Sequence, residues 1–518
     1  MSAEEKEQAR SRWTEGMLGL TALLVQQQFQ DAQLAAQLTL LELPNLLELL
    51  EWTQGALPPE EVVGLAGSLE SLLAPLGRPQ ALAQATRARE RAARALGVWS
   101  AAQFESLRQD IDRLLEQGRL PEAKAAVEQQ LSRALATGEA AYAGAAYDIA
   151  RAYWKLGRVL KTIGAAEAAL PPLGEAQQRF QALADAGNTS AEGMASAAIS
   201  EAAECLIYLG RYDEAAAAYE EGIQRGEKLG DRRGAAVDRG NLGSVLLQQK
   251  RYDKALQSYR EALRIFESLG EPGSVAVFWH QIGMVHKRAG QFEQAEQAYR
   301  QALAIKVQQQ NRAGEASSLG ELGNLYDQMG RLEEAATFYR KAADIYTQLQ
   351  NKRYEGFSRH NLADTLIKLQ RYDEARGELH RAIECDKSFG HAAEPWKTWV
   401  NLHNLEQAAG DAQAAEAARA QAIASYLAYR RAGGESQSNV AQLFAIVLQA
   451  IQQGATTEAE QLLDGWLKDD YPLQAKSLVA GLQAILRGER DPALAADPNL
   501  DFWNVVEMQL LLEALNSQ

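Results

Sequence analysis

The chain has 518 residues, of which 47% are hydrophobic and 23% charged, and it carries a formal net charge of −15. That length exceeds what one growing hydrophobic core supports, so it implies several domains or a stacked array. The acidic balance opposes general binding to nucleic-acid phosphate or to an anionic membrane. Only 13 prolines and a high load of Ala, Leu, Glu, Gln and Arg predict helix throughout. β-Branched residues are sparse and no strand-like alternation is found, so the expected fold class is all-α.

Residues 1–60 read as an N-terminal helical segment of two or three helices, in which Gln28-Phe29-Gln30-Asp31-Ala32 can be a degenerate first turn. The leucine-rich run from Leu38 to Trp52 is expected to break at Pro44. Met1-Ser2-Ala3-Glu4-Glu5-Lys6 is too acidic for a signal peptide, and the apolar run Leu18 to Val25 is too short to span a bilayer. Cys205 and Cys385 are too few for a disulfide framework, and reduced thiols suit a cytoplasmic location.

Residues 61–200 read as divergent helical hairpins, with turns at Gly77-Arg78-Pro79, Gly118-Arg119-Leu120-Pro121 and Gly164-Ala165-Ala166. The basic stretch Arg87, Arg89, Arg91 and Arg94 reads as a solvated helix face. Pro171-Pro172 is expected in the first or second turn of its helix, where a missing N–H costs less.

Residues 201–432 are the most regular. Gly210-Arg211-Tyr212-Asp213-Glu214-Ala215 returns as Arg251-Tyr252-Asp253-Lys254-Ala255 and as Gly290-Gln291-Phe292-Glu293-Gln294-Ala295. It returns again as Gly330-Arg331-Leu332-Glu333-Glu334-Ala335 and Arg371-Tyr372-Asp373-Glu374-Ala375. The aromatic or Leu stands at 212, 252, 292, 332 and 372, a period of 40 that marks a stacked repeat array. A fading copy begins at Gly410. Arg430 to Ser438, with Gly433-Gly434, is the expected internal boundary, and 433–518 should hold degenerate hairpins and a capping helix. That last helix, about Asp501 to Leu515, is expected to bury Trp503, Val506, Leu510 and Leu511 on one side. The acidic pairs Glu333-Glu334 and Asp469-Asp470 are expected on helix surfaces or caps.

Each regular unit is a hairpin of a helix A and a helix B. Trp279-x-x-Ile282-Gly283-x-x-His286 and Leu319-x-x-Leu322-Gly323-x-x-Tyr326 mark helix A. Ala295, Tyr299 and Ala302, and then Ala335, Tyr339 and Ala342, mark helix B. The small residue at 283 and 323 lets helix B approach, and His286 is expected in the packed seam. These units resemble tetratricopeptide repeats of the long, kinesin-light-chain-like variety, strongly over 201–415 and less so over 61–200. The resemblance implies a right-handed superhelical solenoid of antiparallel helical hairpins with helix A on the concave surface. A second resemblance lies in Pro44-Asn45-Leu46-Leu47-Glu48-Leu49-Leu50-Glu51-Trp52. It is similar to the junction before the C-terminal sensor of bacterial STAND NTPases, relatives of NOD-like receptors. That resemblance implies an NTPase or effector domain N-terminal to this segment, although the chain itself has no Gly-x-x-x-x-Gly-Lys-Ser/Thr loop.

With helix A on the concave side, the residues one step round from its packing face become the candidate ligand contacts. In the third regular unit they are His280, Gln281, Met284, Lys287 and Arg288, flanked by Val277. In the fourth they are Glu321, Asn324 and Asp327. In the fifth they are Phe357, His360, Asn361, Asp364 and Lys368, and in the sixth Asn401 and Asn404. The second offers Asn241 and Ser244. Amides, imidazoles, both charge signs and a few apolar groups suit a protein or peptide ligand, with no nucleic acid and no membrane as partner. A chaperone-type carboxylate clamp is not expected, because Gly320 stands one turn before Asn324 where the clamp needs Lys. His280 and His360 lie a whole unit apart, and His380 with Cys385 lacks further ligands, so no metal or cofactor is expected. No paired carboxylates or nucleophile constellation is found, and the chain reads as a non-enzyme.

Overall fold

The computed structural model describes residues 2–97, 99–390, 394–438, 440–466 and 472–516. The acidic pair Asp469-Asp470 lies outside the described residues. Among those described there is no strand. The chain divides into two compact units, Met1–Ile265 and Phe266–Gln518.

The first unit contains α1 (Ala3–Gln30), α2 (Ala32–Ala56), α3 (Pro59–Leu73), α4 (Pro79–Ala95), α5 (Ala101–Glu116) and α6 (Leu120–Thr137). It continues with α7 (Ala145–Thr162), α8 (Ala166–Asp185), α9 (Thr189–Tyr208), α10 (Tyr212–Leu229), α11 (Arg232–Gln248) and most of α12 (Tyr252–Ser268). Successive helices lie on one another, and α1 also reaches α3, α5 reaches α7, and α7 reaches α9, as stacked hairpins require.

Two expectations fail in this unit. The leucine-rich run does not break at Pro44, which sits inside an uninterrupted α2. Thr39 before the proline and Leu46, Leu49 and Leu50 after it are fully buried, the leucines in a core with Leu24, Leu65 and Leu69. A proline in a helix interior costs about 3 kcal/mol, whereas each buried leucine contributes about 1.5–3 kcal/mol, so packing on both sides wins. Nor is the basic stretch of α4 wholly solvated. Arg89 is 0% exposed. It donates from Nε to Glu70 (2.8 Å), from Nη2 to Asp110 (2.6 Å), and from Nη1 to the carbonyl and hydroxyl of Ser106 (2.7 and 2.5 Å). A guanidinium is tolerated out of water only with its charge paired and its N–H groups used. Pro171 and Pro172 lie in the second turn of α8, just beyond the four N–H groups that are free in any helix.

The second unit contains α13 (Pro272–Arg288), α14 (Phe292–Gln308), α15 (Arg312–Gln328), α16 (Leu332–Gln348), α17 (Lys352–Lys368), α18 (Tyr372–Asp386), α19 (Pro395–Ala409) and α20 (Ala412–Arg431). It closes with α21 (Ala441–Gln453), α22 (Thr456–Trp466), α23 (Leu473–Leu486) and α24 (Phe502–Asn516). The repeated turn is a Schellman motif. Gln291 N donates to His286 O and Gly290 N to Lys287 O, and Arg331 and Gly330 do the same to Tyr326 and Asp327. The left-handed residue is glycine at 290 and 330. At 370, where glycine is missing, Gln370 still takes φ 60°, as Lys250 takes φ 59° in the first unit.

The small residue of helix A has the expected role. A Cβ on Gly283 would lie 2.7 Å from the ring of Tyr299, and one on Gly323 2.6 Å from the ring of Tyr339. The tyrosine of helix B therefore lies directly on the backbone of helix A. His286 is 6% exposed, with Nδ1 2.6 Å from Gln291 Oε1, and is a seam residue as expected. Glu334 pairs with Arg331 and Glu333 with Arg371, both at helix surfaces.

The final helix is not a one-sided cap. Val506 and Leu511 are buried as expected, but Trp503 and Leu510 are only partly so, while Asn504, Val505, Glu507, Met508 and Leu512 are buried too. The reason is that α24 returns between α20 and α21. Glu507 accepts from Arg430 Nε (2.9 Å) and Nη2 (3.0 Å), from Ser436 Oγ (2.7 Å) and from Tyr426 OH (3.2 Å). The stretch after α20 is tied to the same network, since Ser438 Oγ donates to Asn504 Oδ1 at 2.9 Å.

Candidate binding face on the A helices

The A helices of the second unit, α13, α15, α17 and α19, each bury one side. Ile282, Gly283, Val285 and His286 do so in α13, and Leu362, Ala363, Thr365 and Leu366 in α17. Each candidate residue sits beside that buried side and none is core. Arg288, Phe357, Asp364, Lys368 and Asn404 are exposed. His280, Gln281, Met284, Lys287, Glu321, Asn324, Asp327, His360, Asn361 and Asn401 are half-buried. Val277 and Phe357 are 51% and 53% exposed, leaving apolar surface among the polar groups.

Many of these residues are not free contacts but partners of one another. Lys287 Nζ of α13 donates to Glu321 Oε2 of α15 at 2.7 Å. Lys368 Nζ of α17 reaches back to both oxygens of Asp327 on α15, at 2.7 and 2.8 Å. Asn401 Nδ2 of α19 lies 2.9 Å from His360 Nε2 and 3.1 Å from Asp364 Oδ1 on α17. A polar ladder thus joins each A helix to the next. Gln281, Asn361 and Asn404 make no side-chain hydrogen bond within the described residues. The rungs are partly open to solvent, most at Lys368, where an ion pair is worth about 1 kcal/mol or less.

A second set of bonds joins helix A to its own helix B. Tyr339 OH donates to Asn324 Oδ1 at 2.7 Å. In the first unit the equivalent Tyr259 OH lies 2.9 Å from Ser244 Oγ. In the third regular unit Met284 replaces Ser or Asn, and the buried hydroxyl of Tyr299 has no partner among the described residues. His280, whose ring lies 5.5 Å from that of Tyr299, also has a buried Nδ1 with no partner. Asn324 is held by Tyr339 and by Glu321 (3.3 Å), an arrangement unlike a carboxylate clamp.

Burial pushes the imidazoles of His280 and His360 below the ordinary range; for His360, Asp364 partly opposes the shift. Lys306, on α14 beneath this face, was not a sequence candidate. Burial lowers its pKa, and its Nζ donates to Ser318 Oγ at 2.9 Å. The signal available was positional, because 266, 346 and 386 at the same register are Phe, Tyr and Asp. Asp386 accepts from Thr398 Oγ1 at 2.9 Å, and burial raises its pKa to about 6. Among the described residues no three His, Cys, Asp or Glu side chains are grouped to hold a metal, and no helix is long and apolar enough to cross a membrane. Cys205 and Cys385 are both buried free thiols.

No curated protein matches the chain. Solved structures similar to it include BtubC (BKLC) from P. vanneervenii, 22% identical, covering 43% of this chain and 92% of that one with a TM-score of 0.40. A STAND protein with a tetratricopeptide repeat sensor from Pyrococcus horikoshii is 16% identical, covering 74% of this chain and 66% of that one with a TM-score of 0.45. The apo form of the quorum sensor NprR from B. thuringiensis is 17% identical, covering 73% and 99% with a TM-score of 0.44. The tetratricopeptide repeat family model matches residues 194–268 and 274–348. Over those two segments the chain is built of tetratricopeptide repeats, units of protein–protein interaction.

Proposed function

We propose that the protein is a non-enzymatic, cytoplasmic interaction module that binds a peptide or protein ligand along the A-helix face of the second unit. The observation that carries this reading is the exchangeable ladder Lys287–Glu321, Asp327–Lys368 and His360–Asn401–Asp364, set among unpaired amides and the exposed Phe357. Amides match a peptide backbone, and the charged rungs can trade partners with its side chains.

In its finer form the module is the ligand-sensing region of a bacterial STAND-type signalling or defence protein, relaying occupancy to an NTPase or effector. The resemblance of residues 44–52 supports this, with Trp52 left 40% exposed under the guanidinium of Arg10 at 4.2 Å. The alternative is a free-standing adaptor without a nucleotide switch. Reading the native open reading frame upstream of Met1 separates the two, since the sensor reading expects an NTPase there.

Binding itself is tested by co-purification from the native host with wild type, Asp364→Lys and Lys368→Glu. Partners should be lost from both variants while the melting temperature stays within a few degrees. If every recovered partner binds the variants as it binds wild type, the site is not on this face.

A further inference from the structure

At the α19 end of the face, between α19, α20 and the segment leading into α24, lies a cavity of about 740 Å³. Its volume is that of a small-ligand pocket. Besides the carboxylates Glu416 and Asp501, its walls supply three kinds of group. Val400, Ala422, Leu500 and Phe502 are apolar. Asn404 and Gln407 are carboxamides with no hydrogen bond inside the described residues. The third kind is the pair Arg419 and His403.

Arg419 is 21% exposed and donates from Nη2 to the carbonyl of Leu500 at 3.0 Å. Its nearest carboxylate, Glu416, lies 3.8 Å from Nη1, beyond hydrogen-bond reach, and is itself 71% exposed. The other N–H groups of Arg419 therefore have no acceptor in the described chain. The second carboxylate on the wall, Asp501, is occupied by Asn504, through its backbone N–H (2.8 Å) and its Nδ2 (3.0 Å). His403 Nδ1 lies 2.8 Å from the carbonyl of Ala415, which can only accept. That contact fixes the tautomer, so neutral His403 presents Nε2 as an acceptor. The cavity thus offers a guanidinium with spare donors, an imidazole acceptor, two two-way amides and an apolar wall.

We propose that this cavity receives the carboxyl-terminal residue of a peptide. The terminal carboxylate lies on Arg419, the last backbone N–H on His403 Nε2, the preceding peptide units on Asn404 and Gln407, and the side chain against Val400 and Phe502. A planar guanidinium matches a carboxylate geometrically as well as electrostatically. A chain passing straight through would satisfy that guanidinium only by bringing an Asp or Glu side chain to it, whereas every free carboxyl terminus carries the matching group. Because Asn404 belongs both to this cavity and to the A-helix face, the proposal rests on the reading given under Proposed function, and it adds a polarity: the ligand ends at α19.

The test uses the full-length chain and arrays of random hexapeptides presented with free carboxyl termini. The tightest binders are then titrated in solution as free acids and as C-terminal amides. Wild type should bind the acids at least ~10-fold more tightly, the worth of one charge-assisted hydrogen bond. Arg419→Gln should abolish that preference and Arg419→Lys should retain most of it. Asn404→Asp, at an exposed side chain, should weaken the acids at an unchanged melting temperature. Equal affinity for acid and amide in wild type, or a preference that survives in Arg419→Gln, overturns the terminal pocket. If those same peptides still lose binding in Asp364→Lys, the A-helix reading stands without it. Absence of any peptide binding overturns the terminal pocket, while the A-helix reading is decided by the co-purification with Asp364→Lys and Lys368→Glu.

Discussion

The hairpins α3–α6 and the repeats α13–α18 solve the same packing problem in different ways. In α13–α16 one helix presents glycine and the next lays a tyrosine ring on it, at Gly283–Tyr299 and again at Gly323–Tyr339, and in α17–α18 Ala363 and Leu379 take those places. In α3–α6 the junction is a single buried guanidinium, Arg89, gathering Glu70, Asp110 and Ser106. The first solution is modular, and a fault in one unit can be judged against its neighbours. The second is used once, and everything around it depends on one side chain. Repetition disperses risk along the array, whereas the ionic junction concentrates it.

The sharpest way to break this comparison is Arg89→Met. It strands Glu70, leaves Asp110 with Arg113 as its remaining partner, and should cost about 3–5 kcal/mol in urea unfolding, with faster hydrogen exchange over residues 59–137. Restoring most of that loss by adding Glu70→Gln and Asp110→Asn is expected; a single variant that unfolds like wild type would show that the junction is not ionic. Next is Gly323→Leu, where the tyrosine ring has nowhere to go, with an expected cost of about 1–3 kcal/mol. If that variant melts like wild type, the assignment of the helix seam fails.

Met284→Asn should do the reverse. It copies Asn324 onto the third unit, giving the hydroxyl of Tyr299 an acceptor, and should stabilise by about 1 kcal/mol. Unchanged stability would mean that the hydroxyl is satisfied in another way. Gln370→Gly relieves a left-handed backbone and gains up to about 1 kcal/mol, reduced by glycine's greater freedom when unfolded. The last is a pH effect at Asp386. Its carboxyl titrates higher folded than unfolded, so it supports folding where it is protonated, below the ordinary carboxylate range. That support is lost as the pH rises through about 6. Asp386→Asn should therefore melt above wild type at pH 8 and converge with it near pH 4. A constant offset across that range would assign the effect to packing.

The same contrast explains what could be read in the chain. The period of 40, the turns, and the glycine seams at 283 and 323 were legible because each recurs and each copy checks the others. Pro44 misled because local propensity was weighed without the leucines on both sides that hold α2 straight. Arg89 misled because its partners, Glu70 and Asp110, are 19 and 21 positions away in a region without a period. Helical spacing sufficed to keep the A-helix candidates off the buried side of their helices. Their pairing was not legible, because spacing within one helix says nothing about which residue of the next helix comes opposite. Arg419 escaped for a related reason, as its wall is completed by Leu500, 81 positions on.

The ladder has a consequence for discrimination. Two of the rungs, Lys287–Glu321 and Lys368–Asp327, are closed ion pairs, so a ligand that offered a charge to Lys368 would also have to leave Asp327 with company. A ligand with the wrong charge order would strand one ion at each ion-paired rung it opened, and the penalties would add along the helices. A sequence with the matching order frees no orphan at all. On the binding reading proposed above, charge order along the ladder would be what separates one acidic or basic segment from another.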